Sequence, residues 1–334
     1  MEYTVKDYES KLSERETQKA IKMIKDEFQV RLAKALHLDR VTAPIMVEAG
    51  KGINDDLNGV ERKVEFTIHA MDEAGAEVVQ SLAKWKRVQL ARLQYGPMEG
   101  IYTDMNAIRR DDSMDNLHSI FVDQWDWEMV IDRKNRNRRF LKSTVKKIVN
   151  VLYAVDQKLC KTYPQLSPVV SREVFFITAQ ELENLYPNLS PKERENRIVR
   201  EYKTVFLMQI GKKLHSGIPH DGRAPDYDDW GLNGDILVWN PVLNCAFEIS
   251  SMGIRVDEKS LPRQLKAAHA MDRMQYTYHR SIAEGKYPLT IGGGIGQSRI
   301  CMLLLEKAHI GEVQCAIWPQ DMRDRLAEEN ITLL

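Results

Sequence analysis

The first hydrophobic pattern along the chain is helical. Over residues 9–38 the apolar positions recur every three or four residues, which predicts one long amphipathic helix. A second stripe of this kind predicts a helix over residues 141–161, and a third helix is expected near residues 296–307. Pro44 interrupts the helical pattern and favours an extended segment over residues 41–47. The chain is therefore expected to begin with a long helix followed by extended structure.

Shorter apolar segments elsewhere alternate with polar residues, and this period of two is typical of strands. Polar or glycine-containing turns separate the segments, so neighbours could pair as hairpins. The strand candidates are residues 64–68, 77–82, 101–108, 119–130, 174–178, 204–210, 235–240, 246–250, 289–291 and 313–318. Because strands and helices do not alternate regularly, we expect an α+β fold, in which a mainly antiparallel sheet is flanked by helices.

Composition narrows the class of protein. The 334 residues contain no Pro/Gly/Ser-rich or charge-run linker, so we expect a single domain over residues 1–334. The 48 basic and 48 acidic residues give a formal net charge of zero, which does not suggest a general affinity for nucleic acid. The four cysteines form no C-x-x-C pair, and scattered thiols suit a reducing cytoplasm. We expect neither a signal peptide nor a membrane span.

Residues 292–299, Gly-Gly-Gly-Ile-Gly-Gln-Ser-Arg, are the most glycine-rich segment of the chain. Glycine lets a backbone approach a ligand closely because no Cβ intrudes, and the helix expected to follow has unpaired amides that attract anions. A Rossmann fingerprint would need glycine where Gln297 stands, and the Gly-Lys-Ser/Thr ending of a Walker A loop is absent. On these residues alone, a nucleotide-binding turn and a tight turn without a ligand are about equally good interpretations.

The strand candidate that ends at residue 130 carries a row of polar side chains. Its period of two places Gln124, Asp126 and Glu128 on one face, which is either a solvated face or a site for a small zwitterion. Arg109 and Arg110 end the preceding strand, where a guanidinium group could bind a phosphate through two hydrogen bonds. Because an isolated arginine pair is more often simply exposed, its meaning depends on its neighbours.

A pair of carboxylates suggests a metal site. If the strands that carry Asp235 and Glu248 form a hairpin, the two acids come near each other, and Mg²⁺ favours carboxylates together with substrate phosphates. Two acids at a sheet edge are the plainer interpretation. Downstream, Gly253 suggests a β-bulge that redirects Arg255. The loop at residues 220–231 lacks the glutamate of an EF-hand, which argues against a calcium site. An active-site flap and a solvated surface loop are the two remaining interpretations.

Together these segments resemble the signature motifs of class II aminoacyl-tRNA synthetases. Pro44 stands where their first, dimer-forming motif lies. Arg109 and residues 121–128 resemble the second motif, and residues 292–299 resemble the third. Residues 247–255 resemble the aspartyl and asparaginyl enzymes in particular.

Longer strings resemble one family more closely, the ammonia-dependent asparagine synthetases of type A, or aspartate–ammonia ligases. The strings are residues 81–87 (SLAKWKR), 122–128 (VDQWDWE), 223–230 (RAPDYDDW) and 231–241 (GLNGDILVWNP). Several are long and rich in tryptophan, and the resemblance covers nearly the whole chain.

The resemblance implies an enzyme that forms L-asparagine from L-aspartate, ATP and ammonia. ATP would activate the side-chain carboxylate as β-aspartyl-AMP with release of pyrophosphate, and ammonia would then attack the acyl carbon and release AMP. Mg²⁺ and a cytoplasmic homodimer are also implied, with a class II synthetase-like catalytic domain that has no anticodon-binding domain. We expect neither a nucleic-acid partner nor a membrane partner.

The resemblance also assigns roles to individual residues of this sequence. The implied catalytic residues are Asp55, which would act on the ammonia nitrogen, Arg109, which would hold the α-phosphate, and Gln124. The implied aspartate site comprises Ser81, Lys86, Gln124, Asp126, Ser251 and Arg255. The implied nucleotide site comprises Arg109, Asp235, Glu248, Gly294, Gly296 and Arg299, of which Asp235 and Glu248 would hold Mg²⁺.

Three other functions share parts of this pattern. An aspartyl- or asparaginyl-tRNA synthetase would share the catalytic domain, but 334 residues leave little room for an anticodon-binding domain. A non-catalytic relative would be expected to lose some site residues, whereas Arg109, Glu248 and Arg299 are all present. A glutamine-dependent asparagine synthetase uses an N-terminal cysteine nucleophile, and residue 2 here is glutamate. An ammonia-dependent ligase therefore fits the sequence best.

Overall fold

A large sheet forms the centre of the fold. The computed structural model describes residues 3–5, 7–55, 57 and 61–334. The strands in these ranges are β1 Leu38–Arg40, β2 Met46–Glu48, β3 Glu65–Ile68, β4 Ala74–Val78, β5 Gly100–Ile108, β6 Phe121–Val130, β7 Phe175–Thr178, β8 Thr204–Met208, β9 Asp228–Asn240, β10 Cys245–Arg255 and β11 Thr290–Gly296. The α-helices are α1 Glu14–Leu36, α2 Ala83–Arg92, α3 Arg138–Thr162, α4 Ala179–Leu185, α5 Pro191–Tyr202, α6 Ser260–Ala267, α7 Thr277–Ala283, α8 Gln297–Leu304 and α9 Gln320–Glu328.

Eight strands hydrogen-bond in the order β1-β5-β6-β11-β10-β9-β8-β7. The six inner strands pair antiparallel, whereas β1 and β7 join the two edges in parallel orientation. A second, antiparallel sheet is built from β2, β4 and β3. This arrangement confirms the expected α+β class, with a mainly antiparallel sheet flanked by helices. Within the described ranges, no helix combines the length and the apolar character needed to cross a membrane.

Helices α1 and α3 cover one face of the large sheet with their apolar stripes. Phe28 of α1 stacks on Trp125 of β6 with 4.5 Å between ring centroids, and both side chains are buried. Such an aromatic pair adds about 0.5–1.5 kcal/mol to the effect of area burial. Helix α1 is capped by Ser13, whose hydroxyl accepts from the amide of Glu16. The helix predicted over residues 9–38 is therefore confirmed, with a later start.

The alternation along β6 separates the core from a cleft. Trp125 and Trp127 belong to the hydrophobic core beneath α1 and α3. Gln124, Asp126 and Glu128 lie on the opposite face, where Gln124 and Asp126 line the cleft. The predicted period of two is confirmed. The polar row is not a solvated face, because Asp126 and Glu128 are only 3% and 0% exposed.

The glycine-rich segment is a strand and not the turn that the sequence suggested. Strand β11 continues through the glycines and pairs with β6 on one side and with β10 on the other. A Cβ atom at Gly292 would lie 2.6 Å from the Trp127 carbonyl oxygen, and one at Gly293 would lie 2.7 Å from the Ser251 carbonyl oxygen. The glycines therefore permit close strand packing, and α8 begins only at Gln297.

Two other strand predictions differ from the structure. Residues 313–318 do not form a strand, although Trp318 is buried and packs edge-on against His309 at 4.8 Å. Residues 77–82 are mostly a turn that leads into α2, and the strand found here, β4, ends at Val78. In both places the apolar side chains signal burial, which a sequence pattern cannot distinguish from backbone pairing.

We expect Gly293→Ala to destabilise the sheet, because the new Cβ would lie 2.5 Å from Met252 Cβ and 2.7 Å from the Ser251 carbonyl oxygen. Overpacking of this kind costs about 1–3 kcal/mol, which urea unfolding would detect as a lower midpoint. Gly96→Ala is the matched control, since its Cβ would meet the flexible Glu99 carboxylate at 3.3 Å. An equal decrease in the urea midpoint of the two variants would contradict the close-packing explanation.

Candidate active site

A cleft of about 580 Å³ opens on the face of the sheet opposite α1 and α3, a volume in the range of small-molecule sites. Its walls come from strands β6, β10 and β11, the loop between β5 and β6, the turn before α2 and the segment before β9. Of the thirteen residues that the sequence assigns to a site, Asp235 does not line the cleft. The twelve that do are Asp55, Ser81, Lys86, Arg109, Gln124, Asp126, Glu248, Ser251, Arg255, Gly294, Gly296 and Arg299.

Helix α2 places a lysine at the floor of the cleft. Ser81 Oγ accepts from a backbone amide at the start of the helix at 3.1 Å. Further along the helix, Lys86 Nζ donates to the Asp126 carboxylate and, at 3.2 Å, to the Gly293 carbonyl oxygen. Burial, reinforced by the positive charge of Arg255, lowers the pKa of Lys86 well below its ordinary value. The pair therefore joins two predicted aspartate-binding residues directly to each other.

Asp126 retains one oxygen without a donor. The residue is 3% exposed, and its Oδ2 atom has no hydrogen-bond partner among the described residues. A buried polar group left without a partner costs about 1–3 kcal/mol. The arrangement is therefore suited to a donor that a ligand supplies, such as an ammonium group.

Arg255 is the second cation at the floor. The register of β10 against β9 shifts between Gly253 and Arg255, which confirms the bulge expected there. The guanidinium group donates to Asp228 Oδ1 at 2.5 Å and to Glu128 Oε2 at 3.2 Å. It also lies 5.7 Å from the centre of the Tyr227 ring. Burial disfavours its charge, but the carboxylates outweigh burial and raise the pKa of Arg255, so it is a fixed cation.

Asp55 is buried at the edge of the cleft and also has a bare oxygen, that is, a buried oxygen without a hydrogen-bond partner. Its Oδ1 atom accepts from the amide of Leu57 at 3.0 Å, whereas Oδ2 has no partner within the part of the chain that is described. Burial raises the pKa of Asp55; Lys84 opposes this rise and Asp226 adds to it. Gln80 donates to the Asp55 carbonyl oxygen at 2.9 Å, and its own side-chain oxygen is similarly bare.

A fourth oxygen without a hydrogen-bond partner belongs to Asp226. Its Oδ2 atom accepts from Arg273 and His279, each at 2.9 Å, and from Lys84 at 3.4 Å. Its Oδ1 atom has no partner in the described ranges. Burial alone would raise the pKa of Asp226, but Lys84 and the other two donors outweigh burial and hold the pKa below its ordinary value. The carboxylate is therefore ionised and can accept a further hydrogen bond.

Two half-buried arginines also line the cleft. Arg109 follows β5 directly and approaches the Gln80 carbonyl oxygen at 3.3 Å. Arg299, in the first turn of α8, donates to the Glu248 carbonyl oxygen at 2.8 Å. Its guanidinium lies 5.7 Å from the centre of the Phe247 ring. Guanidinium groups bind phosphates through paired hydrogen bonds and stack on flat rings, so this pair suits a nucleotide.

The last two predicted glycines give these side chains room. A Cβ at Gly294 would lie 2.3 Å from Gln124 Oε1, and one at Gly296 would lie 3.1 Å from Arg299 Cβ. Glycine at position 294 therefore lets Gln124 cross the neighbouring strand and reach the cleft.

The two expected metal ligands lie on adjacent strands, but Glu248 alone of the two reaches the cleft. The hairpin of β9 and β10 forms as predicted, and Asp235 pairs with Arg223, which lines the cleft in its place. Burial raises the pKa of Asp235 to about 8, with Arg223 opposing the rise and Glu248 adding to it. Across the described ranges, no group of three or more His, Cys, Asp or Glu side chains could hold a metal ion. A metal here would need ligands from a bound phosphate.

Sequence reasoning gave no individual role to several polar residues in and around the cleft. Arg223 and Asp228 line it, and Lys84 and His279 bond to Asp226 outside its lining. Glu128 was placed in the polar row of β6 without a partner. The partners of these residues are distant along the chain; Arg255 and Glu128, for example, are 127 positions apart, so no local period links them. One signal was present: Glu128 is a carboxylate between the apolar neighbours Trp127 and Met129, within a segment predicted to be a buried strand.

Sequence comparison connects this chain with one family. The family model described as aspartate-ammonia ligase matches residues 15–330. A curated relative from Clostridium tetani, named aspartate–ammonia ligase, is 57% identical over 329 residues, which cover 98% of this chain and 96% of the relative. A relative of the same name from Lactobacillus acidophilus is 54% identical over 330 residues and is covered to 98%, as is this chain.

Structural comparison agrees on the fold. Asparaginyl-tRNA synthetase from Entamoeba histolytica, in complex with asparaginyl-adenylate, has a TM-score of 0.62 at 17% identity, over 90% of this chain and 66% of the synthetase. The Pyrococcus horikoshii enzyme, also complexed with asparaginyl-adenylate, has a TM-score of 0.60 at 15% identity, over 91% and 70%. At such identities the likeness concerns the fold alone, and it confirms the class II synthetase-like architecture. With the family match over residues 15–330, the chain belongs to the aspartate–ammonia ligase family.

Proposed function

We propose that the cleft forms L-asparagine from L-aspartate, ATP and ammonia through a β-aspartyl-AMP intermediate, and releases AMP and pyrophosphate. The chain is an ATP-using ligase of a family whose members are named for aspartate and ammonia. One observation carries the proposal: a single cleft combines a floor made of Lys86, Asp126 and Arg255 with two arginines that suit a nucleotide. An adenylating ligase needs these two kinds of site side by side.

The floor of the cleft has the charges that L-aspartate requires. The bare oxygen of Asp126 would accept from the α-ammonium group of the substrate. Lys86 and Arg255 would attract its carboxylates, because charge-assisted hydrogen bonds are the stronger ones. The other polar groups would come from Ser81, Gln124 and Ser251, which line the same cleft.

In the first step a β-carboxylate oxygen of aspartate attacks the α-phosphorus of ATP. The bond from that phosphorus to the bridging oxygen breaks, and pyrophosphate leaves. Arg109 would bind the α-phosphate and stabilise the charge that develops there, a contribution of about 3 kcal/mol for a well-placed donor. Arg299 would lie against the adenine and reach the tail phosphates, while Gly294 and Gly296 leave room for the nucleotide.

Mg²⁺ would bind with ATP at Asp235 and Glu248. The charge of Glu248 contributes to the raised pKa of Asp235, so a cation near both carboxylates would relieve their repulsion. Mg²⁺ commonly takes one or two carboxylates and completes its shell with phosphate oxygens and water, which this pair of acids fits. Arg223 would have to release Asp235 before that carboxylate became a ligand.

The partnerless oxygen of Asp55, which lines the cleft, would receive the ammonium ion, whose N–H groups are all donors. Gln80 and Asp226, which also have partnerless oxygens, do not line the cleft themselves and would support the ion from behind Asp55. The raised pKa of Asp55 makes its carboxylate a stronger base than an ordinary aspartate, so it would take one proton from ammonium. The resulting ammonia attacks the acyl carbon of β-aspartyl-AMP. The bond from that carbon to the phosphate oxygen breaks, AMP leaves, and the new amide nitrogen loses a second proton to solvent.

The proposal extends to the protein as a whole. We propose that residues 1–334 form a single catalytic domain, which acts in the cytoplasm as a homodimer and has no nucleic-acid or membrane partner. The four free cysteines support a reducing compartment. The formal net charge of zero provides no electrostatic reason for general binding to nucleic acid.

The purified protein should convert ATP, aspartate and ammonium, in the presence of Mg²⁺, into equal amounts of asparagine and AMP. Chromatographic product analysis measures both. Glutamine should not replace ammonium, because the proposed nitrogen site consists of acceptors for a small cation. ADP in place of AMP would contradict the adenylate step, and formation of aminoacyl-tRNA would favour the synthetase alternative.

Asp55→Asn should separate the two steps. We expect it to retain aspartate-dependent ATP–pyrophosphate exchange but to lose asparagine formation by about 100-fold or more, the typical contribution of a general base. Asp72→Asn is the matched control, because this exposed residue has a positive φ of 51° that asparagine tolerates, and it should keep both activities. If a folded Asp55→Asn enzyme lost both activities equally, the assignment of Asp55 to the second step would be wrong.

A further inference from the structure

We propose that a strap at the start of the described chain positions the nucleotide end of the cleft through Asn116. The strap comprises residues 3–5 and 7–11. It forms hydrogen bonds with the loop between β5 and β6, residues 109–120, and with the turn after α8, residues 305–314. The inference rests on the proposed function, which assigns Arg109, at the base of that loop, to ATP.

Asn116 joins the three segments. The residue is completely buried. Its Nδ2 donates to the Tyr3 carbonyl oxygen at 3.1 Å and to the Ala308 carbonyl oxygen at 3.0 Å, and its Oδ1 accepts from the Tyr3 amide at 2.9 Å. The Asn116 carbonyl oxygen accepts from the amide of Ile310 at 2.8 Å. One residue thus ties the strap, the loop and the turn together.

Two further contacts fasten the strap to the same turn. The Tyr8 hydroxyl donates to Glu312 Oε2 at 2.8 Å, and Lys307 Nζ donates to Ser10 Oγ at 2.6 Å. The other oxygen of Glu312 accepts from the amide of His309 at 3.0 Å. The strap therefore bonds to the turn at several points, and Asn116 bonds it to the loop as well.

The loop and the turn together form a wall of the cleft. Among the residues that line it are Asp112, His118 and Ser119 from the loop and Ile310 and Gln314 from the turn. Ser119 Oγ donates to Gln314 Oε1 at 2.7 Å, which joins the two segments inside the wall. Because small misplacements of binding groups reduce rates strongly, release of this wall should affect the nucleotide.

The aspartate floor does not depend on the strap. Its charged groups lie on α2, β6 and β10, and their hydrogen bonds are made with residues of β6, β9 and β11.

Two variants break the hydrogen bonds between Asn116 and the strap. Deletion of residues 1–5 removes the bonds between the strap and Asn116. Asn116→Asp keeps an acceptor for the Tyr3 amide but cannot donate to the Tyr3 and Ala308 carbonyl oxygens. We expect KM for ATP to rise about tenfold in each variant, equivalent to about 1.4 kcal/mol and to one or two lost hydrogen bonds. KM for aspartate should change by less than about twofold.

Glu9→Gln is the matched control, since this exposed residue of the strap makes none of the contacts described above, and it should resemble the unmodified protein. Hydrogen exchange of the amides at residues 110–118 gives a readout that does not require activity. We expect these amides to exchange about tenfold faster in the deletion variant and in Asn116→Asp, because the hydrogen bonds that oppose local opening of the loop have been removed.

Two results would overturn the proposal. A lower thermal stability with unchanged KM for ATP and unchanged loop exchange would leave the strap a purely structural role. Equal increases in KM for ATP and for aspartate would show that it does not act on the nucleotide wall. If the unmodified protein formed no AMP with aspartate, the proposed function would fail, and loop exchange would still decide whether Asn116 holds the loop.

Discussion

The Lys86 side chain is fully shielded from solvent. Burial and the charge of Arg255 lower its pKa, so its charged form depends on the acceptors that surround it. Breaking a buried ion pair by removing one partner typically costs about 3–5 kcal/mol. Asp126 of β6, 40 positions away in sequence, supplies the opposite charge, and the carbonyl oxygen of Gly293 accepts a further hydrogen bond. The position of α2 over the sheet is thus coupled to the register between β6 and β11.

The need to pair buried charges also explains why β11, which lies between β6 and β10, is rich in glycine. Arg255 on β10 reaches Glu128 on β6 across β11, which lies between them. A Cβ at Gly292 would lie 2.8 Å from the Arg255 guanidinium and 2.9 Å from Glu128 Cγ. The glycines therefore let buried charges meet over a strand.

Local periodicity predicted the features that depend on neighbouring residues. The long helix over residues 9–38, the two faces of β6, the hairpin that carries Asp235 and Glu248 and the bulge before Arg255 all follow from spacing within one segment. Periodicity could not predict that Asp235 pairs with Arg223, because the loop that carries Arg223 has no regular backbone pattern. It also could not distinguish the buried residues 313–318 from a strand. The partnerless oxygens of Asp55, Gln80 and Asp226 arise only when distant segments meet.

Aspartate binding by the double variant Lys86→Met with Asp126→Leu tests the central claim most directly, that the buried pair forms the aspartate site. Replacing both partners by apolar groups leaves no unpaired charge, so the fold should persist, which circular dichroism can verify. By isothermal titration calorimetry we predict an affinity for L-aspartate at least about 100-fold weaker. The affinity for ATP should stay within about threefold. Aspartate binding at unchanged affinity in the folded double variant would contradict this assignment.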